Sequence, residues 1–172
     1  MSAKLPAGCR IVKLADGEML ARMVQKELKK AGVRAKILNI EEGTGSAEAV
    51  KMILEASGKI RKPAILLGSG EFPVAVSGKG KGGRCSHLAA LVEEVFGKEK
   101  KWFFGAIATD GEDGSAGGGA FIFDEAGIPR GELHAAIRDF DTGSLLQKKG
   151  LLLPREPSRN NLRDLWFLSL EE

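Results

Sequence analysis

Tyrosine is absent from the chain, cysteine occurs twice and proline six times in 172 residues. Each scarcity removes a class of protein. Eight Phe and two Trp leave few flat rings for bases to stack on, and no segment interleaves aromatics with Lys or Arg as a single-strand binder requires. Two thiols, Cys9 and Cys85, make no disulfide framework, and Met1–Gly8 carries no apolar signal region, so a reducing cytoplasm is the expected compartment. No apolar run approaches the ~18 residues of a membrane span, so no membrane partner is expected. The net charge of +3, from 26 basic and 23 acidic side chains, is a mild pull on anions and not the footprint of a nucleic-acid partner. Hydrophobic content of 43% and charged content of 28% exclude a disordered chain, and the length fits one domain spanning residues 1–172.

What the chain has in excess is glycine. Twenty-three of 172 residues is about 13%, against a usual ~7%, without the Gly-X-Y period of collagen. Between the glycines lie regular patterns. Met19, Leu20, Met23, Val24 and Leu28 recur at helical spacing after Asp16, a candidate N-cap, and before Gly32. A short strand is expected at Arg10–Leu14, another at Val33–Asn39, and a helix over Ala47–Ser57 ended by Gly58. Pro63–Leu67 and Phe72–Ser77 flank Gly68-Ser69-Gly70-Glu71, which predicts an antiparallel hairpin. Leu88, Leu91, Val92 and Val95 form a helical stripe ending at Gly97, Lys98–Lys101 reads as a solvated turn, and Lys101–Thr109 as a buried strand. Further on, an apolar helix or turn is expected near Ala120–Glu125, helices near Gly131–Phe140 and Thr142–Lys149, and strands at Leu151–Leu153 and Leu165–Leu170. Strands alternating with helices predict a three-layer α/β/α sandwich, and the hairpin makes its sheet mixed.

Two loops concentrate the glycine. Gly78-Lys79-Gly80-Lys81-Gly82-Gly83-Arg84 joins a predicted strand to a predicted helix, with unobstructed N–H groups, a helix N-terminus and three cations, the ingredients of a phosphate cradle. A flexible solvated loop is the alternative. Gly78, Gly80 and Gly83 fit G-x-G-x-x-G, but no acidic residue ends the next strand to hold a ribose. Arg84-Cys85 stands where a P-loop needs Lys-Ser/Thr, so neither nucleotide motif is complete. The second loop, Thr109-Asp110-Gly111-Glu112-Asp113-Gly114, follows the buried strand, where its carboxylates can hold a hard cation or orient a hydroxyl; Asp-Gly pairs also simply form turns. If the Leu88–Val95 helix is an ordinary crossover, the two strands are neighbours and the loops face one another.

At these residues the chain resembles a known family. Gly68-Ser69-Gly70-Glu71, Gly78–Arg84 and Thr109–Gly114 are similar to the G-G-E, G-K-G-K-G-G-R and T-D-G-x-D-G motifs of the MOFRL domain. That domain is the carboxyl-terminal domain of glycerate 2-kinases, many of which carry the label hydroxypyruvate reductase. Gly45–Val50 and Asn161–Leu165 resemble family segments as well. The resemblance implies that Arg84 contacts substrate or phosphate and that Asp110 acts near the transferred group. It implies binding roles for Glu71, Gly78, Lys79, Gly80, Lys81, Gly82, Gly83, Thr109, Gly111 and Asn161, and magnesium at Asp110 and Asp113, with ATP as phosphoryl donor. The partners implied are a small-molecule anion and a separate amino-terminal kinase domain or a second copy of the chain.

Departures from the motifs are specific. Cys85-Ser86-His87 replaces the family's Asn-Gln-Glu, and Ser115–Gly119 replaces P-T-D-A-A-G with one residue fewer and no Asp. A catalytically degenerate regulatory or interaction module is therefore the second expectation. Cys85 reads as a buried cysteine or, at a helix start beside Arg84, as a low-pKa thiol. Cys85-x-His87 supplies only two ligands of a zinc site, and His134 reads as a surface or half-buried histidine.

Overall fold

The computed structural model describes residues 8–10, 12–97, 99 and 101–172. Most of Met1–Gly8, Ile11 of the expected first strand, and Lys98 and Lys100 of the expected solvated turn lie outside the described residues.

Helix α1 spans Gly17–Lys30, and Asp16 caps it as its spacing predicts: the Met19 amide donates to Asp16 Oδ1 at 2.8 Å. Glu18 in the first turn and Lys29 and Lys30 in the last complement the helix dipole. Strand β1 (Ala35–Ile37) and helix α2 (Ser46–Ser57) follow, then β2 (Ala64–Ser69), α3 (Arg84–Phe96), β3 (Trp102–Ala108) and β4 (Gly119–Phe123). The chain continues through α4 (Arg130–Arg138), α5 (Thr142–Lys148), β5 (Leu152–Leu153) and β6 (Asp164–Leu170).

The strands form one mixed sheet in the order β1-β2-β6-β3-β4-β5. β1 and β2 are parallel, and every other pair is antiparallel. Alternation along β6 sends Trp166, Leu168 and Leu170 into the core with Leu66, Phe104 and Ile122, under α2 and α3. Its other face, with Leu165 and Phe167, meets Val24 and Leu28 of α1 beside Ile65 and Leu67. Helices thus cover both faces, the expected three-layer α/β/α arrangement.

Four expectations are corrected. Residues 10 and 12–14 form no strand. The hairpin is absent: β2 is paired on both sides, parallel to β1 and antiparallel to β6, so no edge remains for residues 72–77. Residues 119–123 are a strand, since Ala120 and Ile122 point to the core while Phe121 stacks on Phe103 on the opposite face. Finally, the strand expected beside β3, residues 72–77, does not form, and β6 runs antiparallel between β3 and β2.

Candidate functional site

The basic glycine loop is a packed seam. A Cβ on Gly80 would stand 2.5 Å from the Asp141 side chain, and one on Gly83 would collide with the Asp113 carboxyl, so both positions need a residue without one. Gly78 and Gly82 lie along the same seam against Asp139 and Phe140. Three of its N–H groups are drawn inward. Gly80 donates to the Asp139 carbonyl (3.2 Å), Lys81 to Asp141 Oδ1 (2.8 Å) and Gly83 to Ser86 Oγ (2.9 Å). The Ser144 hydroxyl, then the Lys81 amide, hold the Asp141 carboxyl below its ordinary value. Lys79 and Lys81 project outward as exposed residues.

The N-terminus of α3 is likewise taken. Asp113 is 2% exposed, and its two oxygens accept the amides of Cys85 and Ser86 at 2.8 Å each. A buried carboxylate from the acidic loop thus occupies the place at the helix dipole where a phosphate was expected. The amides of Gly80, Lys81, Gly83, Cys85 and Ser86 are thus engaged within the protein, and the loops meet through Asp113 and through Ser115, whose amide donates to the Gly82 carbonyl at 3.1 Å.

What remains open is the sheet edge where β2 and β3 end and β6 begins. Arg84, the first residue of α3, holds Asp164, the first of β6, through two bonds: Nε to Oδ2 at 2.9 Å and Nη2 to Oδ1 at 3.2 Å. Glu71, just beyond β2, approaches Nη2 with Oε1 at 3.4 Å. Asp164 is buried at 5% exposure, whereas the Arg84 and Glu71 side chains are 37% and 38% exposed. Burial pushes the Asp164 carboxyl above its ordinary value and Arg84 opposes that; the hydrogen bond to Asp164 in turn holds the Arg84 guanidinium further above its own. Nη1 of Arg84 makes no hydrogen bond among the described residues.

Thr109 and Asp110 leave β3 at the same edge. The Thr109 hydroxyl oxygen accepts the Leu162 amide at 2.8 Å, and Asp110 Oδ1 accepts the Glu112 amide at 3.0 Å, a local turn that Gly111 completes at φ +82. Asn161 Oδ1 accepts the Arg163 amide at 2.8 Å and closes the turn into β6. The structure thus gathers Glu71, Arg84, Thr109, Asp110 and Asn161 around the ends of β2, β3 and β6, and sets the glycines, Lys79 and Lys81 apart along the seam.

Asp164 escaped the sequence reading as a site residue. The signal was its position: a carboxylate immediately before the alternating run Leu165–Leu170, at the mouth of a buried strand. Cys85, 1% exposed, is pushed well above its ordinary pKa, first by burial and then by the Asp164 and Asp113 charges, so the low-pKa alternative is set aside. His87 is buried against Phe140, with ring centroids 5.3 Å apart, and burial holds it below its ordinary pKa; its Nδ1 has no partner among the described residues. His134 is exposed beside Glu94.

Asp113 has no oxygen free to share a magnesium ion with Asp110. Both oxygens of Asp113 are bonded to main-chain amides in the interior, and among the described residues no three His, Cys, Asp or Glu side chains gather as a ligand set.

Among the described residues no helix is long and apolar enough to cross a membrane. No curated protein matches the sequence. Two crystal structures share the fold. A glycerate kinase of Thermotoga maritima is 24% identical with a TM-score of 0.81 over 90% of this chain and 40% of its own. A Pyrococcus horikoshii protein is 18% identical with a TM-score of 0.79 over 98% of this chain and 42% of its own. The chain therefore spans less than half the length of either. Residues 64–164, from the first residue of β2 to the Asp164 that grips Arg84, match the model of the MOFRL family, and the chain belongs to that family.

Proposed function

We propose that residues 1–172 are one MOFRL-like domain that supplies the Arg84 side of an anion site. In the cytoplasm, with a separate amino-terminal partner domain, it contributes to the ATP-dependent phosphorylation of glycerate or a similar hydroxy acid. The observation that carries this reading is Arg84: a guanidinium fixed from below by a buried carboxylate, partly exposed at the carboxyl edge of the sheet, with Nη1 unengaged among the described residues. Open α/β sheets place ligands at that edge.

Arg84 binds the carboxylate or phosphate of the ligand, and the buried Asp164 keeps the fork from swinging away. Asp110 Oδ2, which accepts no hydrogen bond among the described residues, orients the hydroxyl that attacks. With Asp113 committed as a helix cap, ATP and magnesium fall to the partner domain. Phosphoryl transfer rests on clamping both reactants, so this domain alone is expected to bind without turning over. The glycerate kinase of T. maritima, whose chain is more than twice the length this fold covers, supports the two-part arrangement.

The test is to supply ATP, magnesium and glycerate to the protein alone and with candidate amino-terminal domains. Phosphoglycerate in a combination, and glycerate or phosphate binding by the domain alone, are expected. Neither binding nor product in any combination would overturn the reading.

A second reading, a regulatory module that keeps the fold without the chemistry, is favoured by one observation: Glu71 and Asp164 already place two negative charges on the one Arg84 cation. On that reading Arg84→Ala leaves every measurable interaction of the protein intact.

A further inference from the structure

The charges around Arg84 do not suit an empty anion site as they stand. Its Asp164 partner is buried, bidentate and part of the sheet, since the Gly70 amide donates to the Asp164 carbonyl at 3.0 Å. Glu71 differs in each respect. Its carboxylate is 38% exposed and meets Arg84 through a single 3.4 Å approach without a hydrogen bond. It sits on residues 70–83, which carry no strand and no helix. One carboxylate is a foundation; the other is a loose occupant on the solvent side.

We propose that Glu71 is an internal stand-in for the ligand: it neutralises the outer face of Arg84 while the site is free and is displaced when a carboxylate or phosphate group arrives. This rests on the anion-binding reading of Arg84 and adds how that site is regulated. Three features support it. A guanidinium with one face locked by Asp164 has a single remaining face, and Glu71 shares it with any ligand. An exposed ion pair at this distance is weak, so an anion that makes two hydrogen bonds to the fork can outcompete it. A ligand carboxylate bound beside an undisplaced Glu71 would place like charges together, which makes exclusion of one by the other the stable arrangement. Ligands without a full negative charge cannot move Glu71, so the exchange selects anions over neutral hydroxy compounds of the same shape.

The measurement is calorimetric titration of the 172-residue protein with inorganic phosphate and, separately, with glycerate, for wild type, Glu71→Gln, Arg84→Lys and the exposed-surface control Glu48→Gln. Glu71→Gln is expected to bind the anions roughly three- to tenfold more tightly, as removal of a competing exposed pair implies. Glu48→Gln, which changes net charge equally, should stay within about twofold of wild type, and Arg84→Lys should bind more weakly. If wild type binds, Arg84→Lys is weakened and Glu71→Gln is unchanged or weaker, the stand-in is overturned while the anion site stands. If neither wild type nor Glu71→Gln binds either anion, the anion site falls and the stand-in with it. Unchanged far-ultraviolet dichroism in Glu71→Gln excludes misfolding as the cause of a negative result.

Discussion

The two ends of α3 each hold a buried carboxylate in opposite circumstances. At the N-terminus Asp113 reaches in from another loop, accepts two main-chain amides and lies at the positive end of the helix dipole. In the last turns Glu93 is 8% exposed, its Oε2 has no partner among the described residues, and its pKa is pushed up to about 7, first by burial, with Asp124 adding to the rise and Arg130 opposing it. Burial is common to both, and the two differ in their hydrogen bonds and in their position along the helix.

The sharpest way to break the comparison is Asp113→Ala. It strips two buried amides of their acceptor and removes the cap from the most buried helix. A loss of about 3 kcal/mol is expected in chemical denaturation. A loss under about 1 kcal/mol would show that the amides find water and that the cap is dispensable.

Gly83→Ala attacks the same end from the other partner, since the added methyl collides with the Asp113 carboxyl. A cost of about 2 kcal/mol is expected, through displacement of main chain on one side or the other. In the double variant with Asp113→Ala the cost should shrink only in part, because the added methyl also collides with the main-chain oxygen of residue 113, and a double-mutant cycle measures the carboxyl's share.

Arg84→Ala extends the contrast to the sheet edge by leaving Asp164 buried without its cation. A cost of about 1–2 kcal/mol is expected at neutral pH, moderated because Arg84 is partly exposed. The sign with pH follows from Asp164. A carboxyl raised on folding favours the folded state most when protonated, so the deficit should shrink as pH falls and the carboxyl takes up a proton. Denaturation midpoints at pH 4 and pH 7.5 check this, and an equal deficit at both would exclude Asp164 as its source.

Glu93→Gln should give the smallest change and of the opposite sign. With a folded-state pKa of about 7 against an ordinary 4.5, the wild type keeps this contribution below pH 4.5 and loses it as pH rises through 7. The neutral variant has nothing to lose, so above pH 7 it should be about 1 kcal/mol more stable than wild type and indistinguishable from it near pH 4.5.

Much of this was legible in the residues. Asp16, Gly58 and Gly97 mark helix ends by local chemistry, and the alternation in Leu165–Leu170 names a strand without reference to its neighbours. Strand pairing was not legible, because nothing near Phe72–Ser77 records that β2 has already spent both edges on β1 and β6. The loops show the same divide. Their glycine and charge were visible in the sequence; their meeting was expected from a strand adjacency that β6 interrupts. Which groups satisfy which was not visible. Asp113 reads as a free ligand when its partners are unknown, and Asp164 reads as a strand margin until Arg84 is seen across a separation of 80 residues.

The position of β6 bears on how the protein is made. It comes last of the six strands in sequence and stands between β2 and β3 in space, contributing Trp166 to the deepest part of the interior. As the chain leaves the ribosome, β2 and β3 emerge well before their common partner, and each presents a bare apolar edge until residues 164–170 arrive to join them. Cotranslational folding of the amino-terminal portion is therefore provisional. A nascent chain halted before Asp164 lacks the seam of the sheet and exposes two templates for pairing with other chains.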